Sequence, residues 1–489
     1  MHLSPSAKPS PALTLALVLA TIAGGAGPPA EEASSPSRER QARADLRLHN
    51  EPLTVEALGL SIRLPLTSRV QKDTAGGQTA LTVVDAAEIP AWRLRIQEMT
   101  SDEANPTAAA LAAAHLERLA RVGAGGELIS NDPIQCGNCA GQLCYLQQSG
   151  PTGQEVVLGY LFLPAGERNY LLLAILTTPD DFDEARALLE ASFATITVRT
   201  VEARSREWRT LADNGRAFLK TLTPDRLKSA VGLSQCLRVY RPGQTTGEGD
   251  TEIGWSVVST HAAVKEAVGA DNPADPQYAE GPDQGLLVFI RGRLAVQAQR
   301  GIYQDFTIRY WTAWDQSEER WNVLATTRQG EATRSESEIG VRDAPASRAR
   351  PQMLTVIQSS EAIRSREPYE WPVPEVYLSQ GPGWLIGRLL PRDGSEGKTY
   401  AYYFYNNQGP QPELALRTDR WEPVADKPGQ WRLTTRLGVD ARPTVSIYNA
   451  DGSLVRQTRE DRTVIEPGDP EMLQRLWRSK GLDPGGAGR

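Results

Sequence analysis

Residues 155–196 read "EVVLGYLFLPAGERNYLLLAILTTPDDFDEARALLEASFATI", and this stretch decides the fold of the front of the chain. "EVVLGYLFLP" and "NYLLLAILTT" are two strands, with "PAGERN" (164–169) supplying the turn between them. Residues 169–176 are apolar nearly throughout, as expected of a strand covered on both faces. A helix is then expected over 180–193. Pro179-Asp180-Asp181 opens it with carboxylates at its positive end. Phe182, Ala185, Leu189 and Phe193 recur at helical spacing and form its buried stripe. "ATITV" (194–198) leaves as a short strand.

Working outward, "GLSIRLP" (59–65) is a strand that runs into a proline turn. A second helix is expected over 105–122, with Asn105 as N-cap and Pro106 at the first helical position. Leu111, His115, Leu119 and Val122 share one face, and Gly123 ends the helix. On such a stripe His115 reads as a packed, hydrogen-bonded histidine, not a ligand.

"QCGNCAGQ" (135–142) places a Gly-Asn pair between Cys136 and Cys139, the composition of a two-residue hairpin turn. The flanking residues would then face each other with Cα atoms about 5.5 Å apart, within disulfide reach. In an oxidising compartment a Cys136–Cys139 disulfide is the expected use, with Cys144 and Cys236 free. Another pairing, a structural zinc site or a redox-active pair are the competing readings. No fourth ligand sits at zinc-finger spacing, and the pair leads into a strand instead of opening a helix.

Together these elements resemble the PsbP-like group, which includes the bacterial DcrB-like periplasmic proteins. The resemblance rests on "GLSIRLP", the mid-domain helix, the Gly-bounded hairpin and the ending "YLLLAILTTPDDFDEARALLEASFATI", about 140 of 489 residues. It implies an antiparallel sheet flanked by helices in a non-enzymatic assembly factor, accessory subunit or binding module. It carries no shared active-site residues, and the cysteines are not part of it.

A chain of this length is expected to hold more than one domain. Lys8 followed by the apolar run Ala12 to Ala23 has the length of a secretory leader and falls short of the ~20 residues that span a bilayer. Gly24-x-Ala26 offers a cleavage site. The organisation expected is therefore a signal peptide (1–26), a disordered tether (27–49), the PsbP-like α+β domain (50–200), a helical connector (203–223), a β-rich domain (224–480) and a disordered tail (481–489). The β-rich part reads as one domain or as two halves, 224–340 and 350–480. No segment after the leader is apolar enough to cross a membrane, so the mature protein is expected to be secreted or periplasmic. The net charge of −7 argues against a nucleic-acid surface.

After Pro224 the composition shifts: of eleven tryptophans only Trp92 lies before residue 200. Segments such as "TEIGWSVVST", "GLLVFIRGRLAVQAQ" and "YQDFTIRYWTAW" alternate apolar and polar residues, the period of an antiparallel sheet with one covered face. Polar linkers are expected at 266–284 and 327–350, a hairpin turn at Asn449 to Gly452, and a last helix from Asp469-Pro470. The fold class is α+β: the first domain as described, then a curved antiparallel sheet or half-barrel with few helices, one of them against the concave face. In outline that region is similar to LolA-like periplasmic carrier sheets, an analogy of element pattern. Trp255, Trp311, Trp314, Trp371 and Trp384 would line a ligand groove, flat rings being suited to apolar or sugar ligands. The competing reading is that the aromatic residues are sheet core. "EWPVPEVYLSQGPGW" (370–384) reads as an irregular rim loop over the entrance.

Catalytic signatures are absent: no phosphate loop, no His-Glu-x-x-His and no Gly-x-Ser-x-Gly elbow. None of His49, His115 and His261 has a nucleophile in a telling position. Neither a cofactor nor a metal is expected. The function expected is that of an exported, non-catalytic cell-envelope protein that binds a partner protein or an apolar ligand. The alternatives are a thiol-disulfide protein using Cys136 and Cys139, and a carrier or enzyme with an aromatic-lined site on the C-terminal sheet.

Overall fold

The computed structural model describes residues 48–75, 78–121, 125–149, 154–243, 249–345, 351–360, 367–392, 397–408, 411–438, 441–480 and 482. The expected leader, all but the last two residues of the tether, Val122, Gly123 and most of the tail lie outside them. Two compact units divide the chain, with the break at Arg209/Thr210.

In the first unit, β1 (Leu53–Val55) and β2 (Leu60–Ile62) precede β3 (Ser68–Ala75), β4 (Gln78–Asp85) and β5 (Trp92–Thr100). Helix α1 (Ala108–Arg121) leads to β6 (Glu127–Cys136), β7 (Cys139–Ser149), β8 (Glu155–Pro164) and β9 (Asn169–Thr177). Helix α2 (Phe182–Phe193), β10 (Thr197–Val198) and the start of α3 (Val201–Thr221) follow. Strands β3 to β9 form a seven-stranded antiparallel sheet in the order β3-β4-β5-β9-β8-β7-β6, and β1, β2 and β10 form a separate three-stranded one.

Strand β9 sits mid-sheet and is covered on both sides, as its unbroken apolar run requires. Leu171, Leu173 and Ile175 pack with Ala185, Leu189 and Phe193 of α2. Tyr170 and Leu172 pack with Leu111 and Ala112 of α1 on the opposite face. Helix α1 starts later than its sequence signals suggest. Asn105 has left-handed backbone (φ 52°) and does not cap. The Thr107 hydroxyl accepts from the amide of Ala110 at 3.1 Å instead, so Pro106 lies outside the helix.

The second unit begins within α3. Helix α4 (Pro224–Lys228) is followed by eight strands: β11 (Ser234–Arg241), β12 (Thr251–Val264), β13 (Gln284–Gln297), β14 (Ile302–Ala313), β15 (Glu319–Gln329), β16 (Ala332–Arg342), β17 (Met353–Ser360) and β18 (Tyr369–Pro372). Two short helices, α5 (Gln380–Trp384) and α6 (Ile386–Leu389), interrupt the sheet. Six more strands follow: β19 (Lys398–Asn406), β20 (Glu413–Pro423), β21 (Trp431–Leu437), β22 (Thr444–Tyr448), β23 (Leu454–Thr458) and β24 (Val464–Pro467), then helix α7 (Pro470–Ser479).

All fourteen strands belong to one antiparallel sheet. β11 to β18 form one meander and β19 to β24 another, and β11 pairs with β24, so both expected halves share a single sheet. Its free edges, β18 and β19, are bridged by the segment after β18. Val373 N donates to Gln352 O (2.8 Å), Tyr403 N to Val376 O (2.7 Å) and Leu378 N to Tyr403 O (3.0 Å). A sheet this wide curls under its own twist, and here it curls far enough for the edges to meet around one core.

Two sequence expectations are corrected. The polar linker at 327–350 contains β16, paired along its length with β15. The rim loop at 370–384 is mostly interior: Tyr377, Leu378, Gln380, Gly381, Pro382 and Gly383 are buried, and α5 and α6 plug the inside of the sheet. Glycine permits this, because a Cβ on Gly383 would collide with the Phe404 ring.

Candidate functional site

The plug is held by charged side chains pointing inward. At its start the buried Arg342 donates to Glu319 (3.1 Å), the Ser379 hydroxyl (2.9 Å) and Gln316 O (2.9 Å), while the Gln380 amide donates to the other Glu319 oxygen (3.1 Å). Farther on, Arg417 pairs with the buried Asp419 (3.0 Å) and donates to Gly383 O (3.2 Å). Trp421 Nε1 donates to Pro391 O (2.7 Å) where the plug ends. Each buried charge has a partner, which is what keeps it affordable in low dielectric.

Beside the plug lies a cavity of about 160 Å³. One wall is a patch of alternate residues from four neighbouring strands, including Leu237 and Val239 of β11, Val258 of β12, Ile290 of β13 and Ile308 of β14. Trp384 and Leu385 of the plug close another side, with Tyr448 and Leu454 completing it. The lining is mainly hydrocarbon, interrupted by Gln235, Ser256, Gln457 and two arginines, Arg388 on α6 and Arg459 just after β23.

Of the five tryptophans expected to line a groove, only Trp384 borders this cavity. Trp311 is buried in a satellite cluster with Ala263, Val268 and Leu287, and its Nε1 donates to Ala263 O (2.8 Å). Trp314 packs against the main core under the Lys228 ammonium (5.7 Å to the ring). Trp371 stacks on Tyr369 with ring centres 5.9 Å apart. Trp255 is half-buried and precedes Ser256, so strand alternation turns it to the other face. Trp311, Trp314 and Trp371 thus serve packing, and Trp255 lies on the face away from the cavity. The residues that sequence reasoning missed are Arg388 and Arg459, for which the sequence offers no periodic or motif signal.

At the tip of the β6–β7 hairpin Cys136 and Cys139 are directly paired across Gly137-Asn138, as the turn composition predicts. Both are free thiols, as are Cys144 and Cys236, so the expected Cys136–Cys139 bridge is not formed in this structure. The tip is stitched down: Gly137 N donates to Ala194 O (3.1 Å), and Asn138 exchanges hydrogen bonds with Val198 (2.8 and 3.0 Å). Burial pushes the Cys136 thiol up to about 12, aided by Cys139, and also raises Cys139. A nucleophilic thiol needs the opposite shift.

Among the described residues, no group of three or more His, Cys, Asp or Glu side chains is placed to hold a metal ion. None of their helices is long and apolar enough to cross a membrane.

No family model and no curated protein matches the chain. Among solved structures, the chain shows a slight likeness to a crystal structure of a protein from Bacteroides thetaiotaomicron VPI-5482, at 10% identity and a TM-score of 0.22. The likeness covers 31% of this chain and spans about half (49%) of the other, and it carries no argument.

Proposed function

We propose that the protein is a non-catalytic binding module of the cell envelope whose C-terminal unit holds a small apolar ligand beside its plug. The observation that carries this reading is the cavity itself. A mainly apolar cavity of about 160 Å³ lies next to a plug fixed by inward-facing ion pairs. A void of ~150 Å³ with aliphatic and aromatic walls stays dry and accepts benzene. Export by the leader and a docking role for the PsbP-like front unit complete the proposal. The stitched, unreactive setting of Cys136 and Cys139 supports a structural role for that hairpin over thiol exchange.

A homologous series of 1-alkanols tests the reading by calorimetry. Each added methylene contributes about 0.8 kcal/mol, so Kd should fall about fourfold per carbon from butanol until about six carbons are housed. Ile290→Phe, which fills the cavity, should abolish the binding. Affinity independent of chain length, or unchanged in the filled variant, would show that the void is not the site.

A further inference from the structure

Two cations line the cavity without an anion to answer them, and this points to the head of the ligand. Resting on the apolar-site reading above, we propose that the occupant is an organic oxyanion, a carboxylate or phosphate ester. Its apolar tail of about six carbons fills the void, and its head engages Arg459 and Arg388.

Arg459 carries most of the argument. Its Nε is fully buried and has no hydrogen-bond partner. Among the described residues no carboxylate lies within ion-pairing distance of Arg459 or of Arg388. Asp461, the acid whose charge acts on Arg459, is engaged elsewhere: it accepts from Arg241 (2.9 Å) and from the amide (3.1 Å) and hydroxyl (2.7 Å) of Thr463. Asp451, close to Arg388, accepts from the amide (2.8 Å) and hydroxyl (2.7 Å) of Ser453.

Elsewhere in the unit buried arginines are mostly paired with carboxylates, Arg309 and Arg392 being exceptions that lie away from the cavity lining. Arg342 and Arg417 pair with Glu319 and Asp419, and Arg238 pairs with Glu252. Two arginines without a carboxylate partner at one largely apolar cavity depart from that pairing. The Nη groups of Arg459, unlike its Nε, are not closed off and have no carboxylate partner among the described residues, and an oxyanion in the cavity accepting from them would supply one. Burial lowers the Arg459 guanidinium to about 10 against the pull of Asp461, so it is still a cation at neutral pH. The chain as a whole is acidic, with net charge −7. Attraction for an anion must therefore be local, which is what two arginines lining one cavity supply.

The test is calorimetry on the full chain at pH 7 with four eight-carbon probes: octanoate, octyl phosphate, 1-octanol and octylamine. Octanoate or octyl phosphate should bind at least tenfold more tightly than octanol, and octylamine least of all; the ratio of the first two identifies the head. Arg459→Gln should weaken the anion about tenfold while octanol stays within twofold, which also shows that the variant is folded. Arg388→Gln should act in the same direction, and Arg459→Lys should restore part of the preference. Octanol binding as tightly as both anions overturns the oxyanion assignment and leaves the apolar site standing. So does unchanged anion affinity in both glutamine variants. If no probe binds, the apolar site falls and this inference falls with it.

Discussion

His115 has little room for a proton. It is nearly buried on α1, its ring tilted 59° against that of Tyr160 with centres 4.5 Å apart, and its Nδ1 lies 2.7 Å from Arg118 Nη2. Arginine can only donate, so Nδ1 accepts and the buried, unpartnered Nε2 carries the hydrogen. Burial first, and then the Arg118 charge, lower its pKa to about 4. The unfolded chain takes up a proton near 6.5 and the folded one does not until about 4. The stability is therefore whole above pH 6.5 and drains away as pH falls to 4, by up to about 3 kcal/mol. Urea titrations at pH 7 and pH 4.5 should show this loss in the wild type and a smaller one in His115→Phe. An equal loss in both proteins would place the acid sensitivity elsewhere.

Glu338 presents the opposite case, a buried carboxylate with no cation paired to it among the described residues. It accepts from Trp321 Nε1 (3.0 Å), Gln358 Nε2 (3.0 Å), Tyr405 Oη (2.8 Å) and Asn407 Nδ2 (3.1 Å). Those donors come from β15, β17, β19 and the residue following its end, so the carboxylate clasps the two edges of the sheet together. Glu338→Ala should cost about 3–5 kcal/mol by stranding four donors, and Glu338→Gln should cost less. Denaturant midpoints would decide; equal midpoints for Glu338→Ala and the wild type would remove the clasp.

At the scale of elements, α3 and β16 show what the sequence conceals. Gly215 looks like a flaw in the middle of a helix, where alanine would be better by about 1 kcal/mol. In the fold a Cβ there would run into the carbonyl oxygen of Ala401 on β19. Gly215→Ala should therefore destabilise by about 1–3 kcal/mol in spite of its helix propensity, and a raised melting temperature would contradict the close approach. Strand β16 was hidden for a related reason. Its inward positions Glu338, Gly340 and Arg342 are charged or bare, while Ile339 faces outward, 44% exposed. Its apolar pattern is inverted, and the segment reads as a linker. Elements that obey the ordinary pattern were legible: β9 from its unbroken apolar run, α2 from its stripe, and α7 from Asp469, which caps the amide of Met472 at 2.8 Å.

At the scale of the whole molecule, the sequence reads as α+β, while the chain as a whole proves mostly β. The antiparallel strands with few helices after residue 224 were readable from strand density and alternation. The pairing of β11 with β24 and the meeting of β18 with β19 were not, because such contacts join residues more than two hundred and about thirty positions apart. The plug escaped because proline and glycine mark loops in general and interior backbone only when something packs against it. The cavity follows the same logic: alternation identifies a covered face but not whether its covering leaves a void. That Arg459 shares one cavity with Trp384 and Arg388 depends on two segments about seventy residues apart, which no local pattern encodes.

The central claim is that the void beside the plug is a binding site. A crystal of the full chain soaked with 8-bromooctanol addresses it directly through the bromine's anomalous signal. The account predicts a peak inside the space bounded by Val258, Ile290 and Trp384, absent from crystals of Ile290→Phe. A bromine peak found only outside that space, or an empty void at saturating ligand, would contradict it.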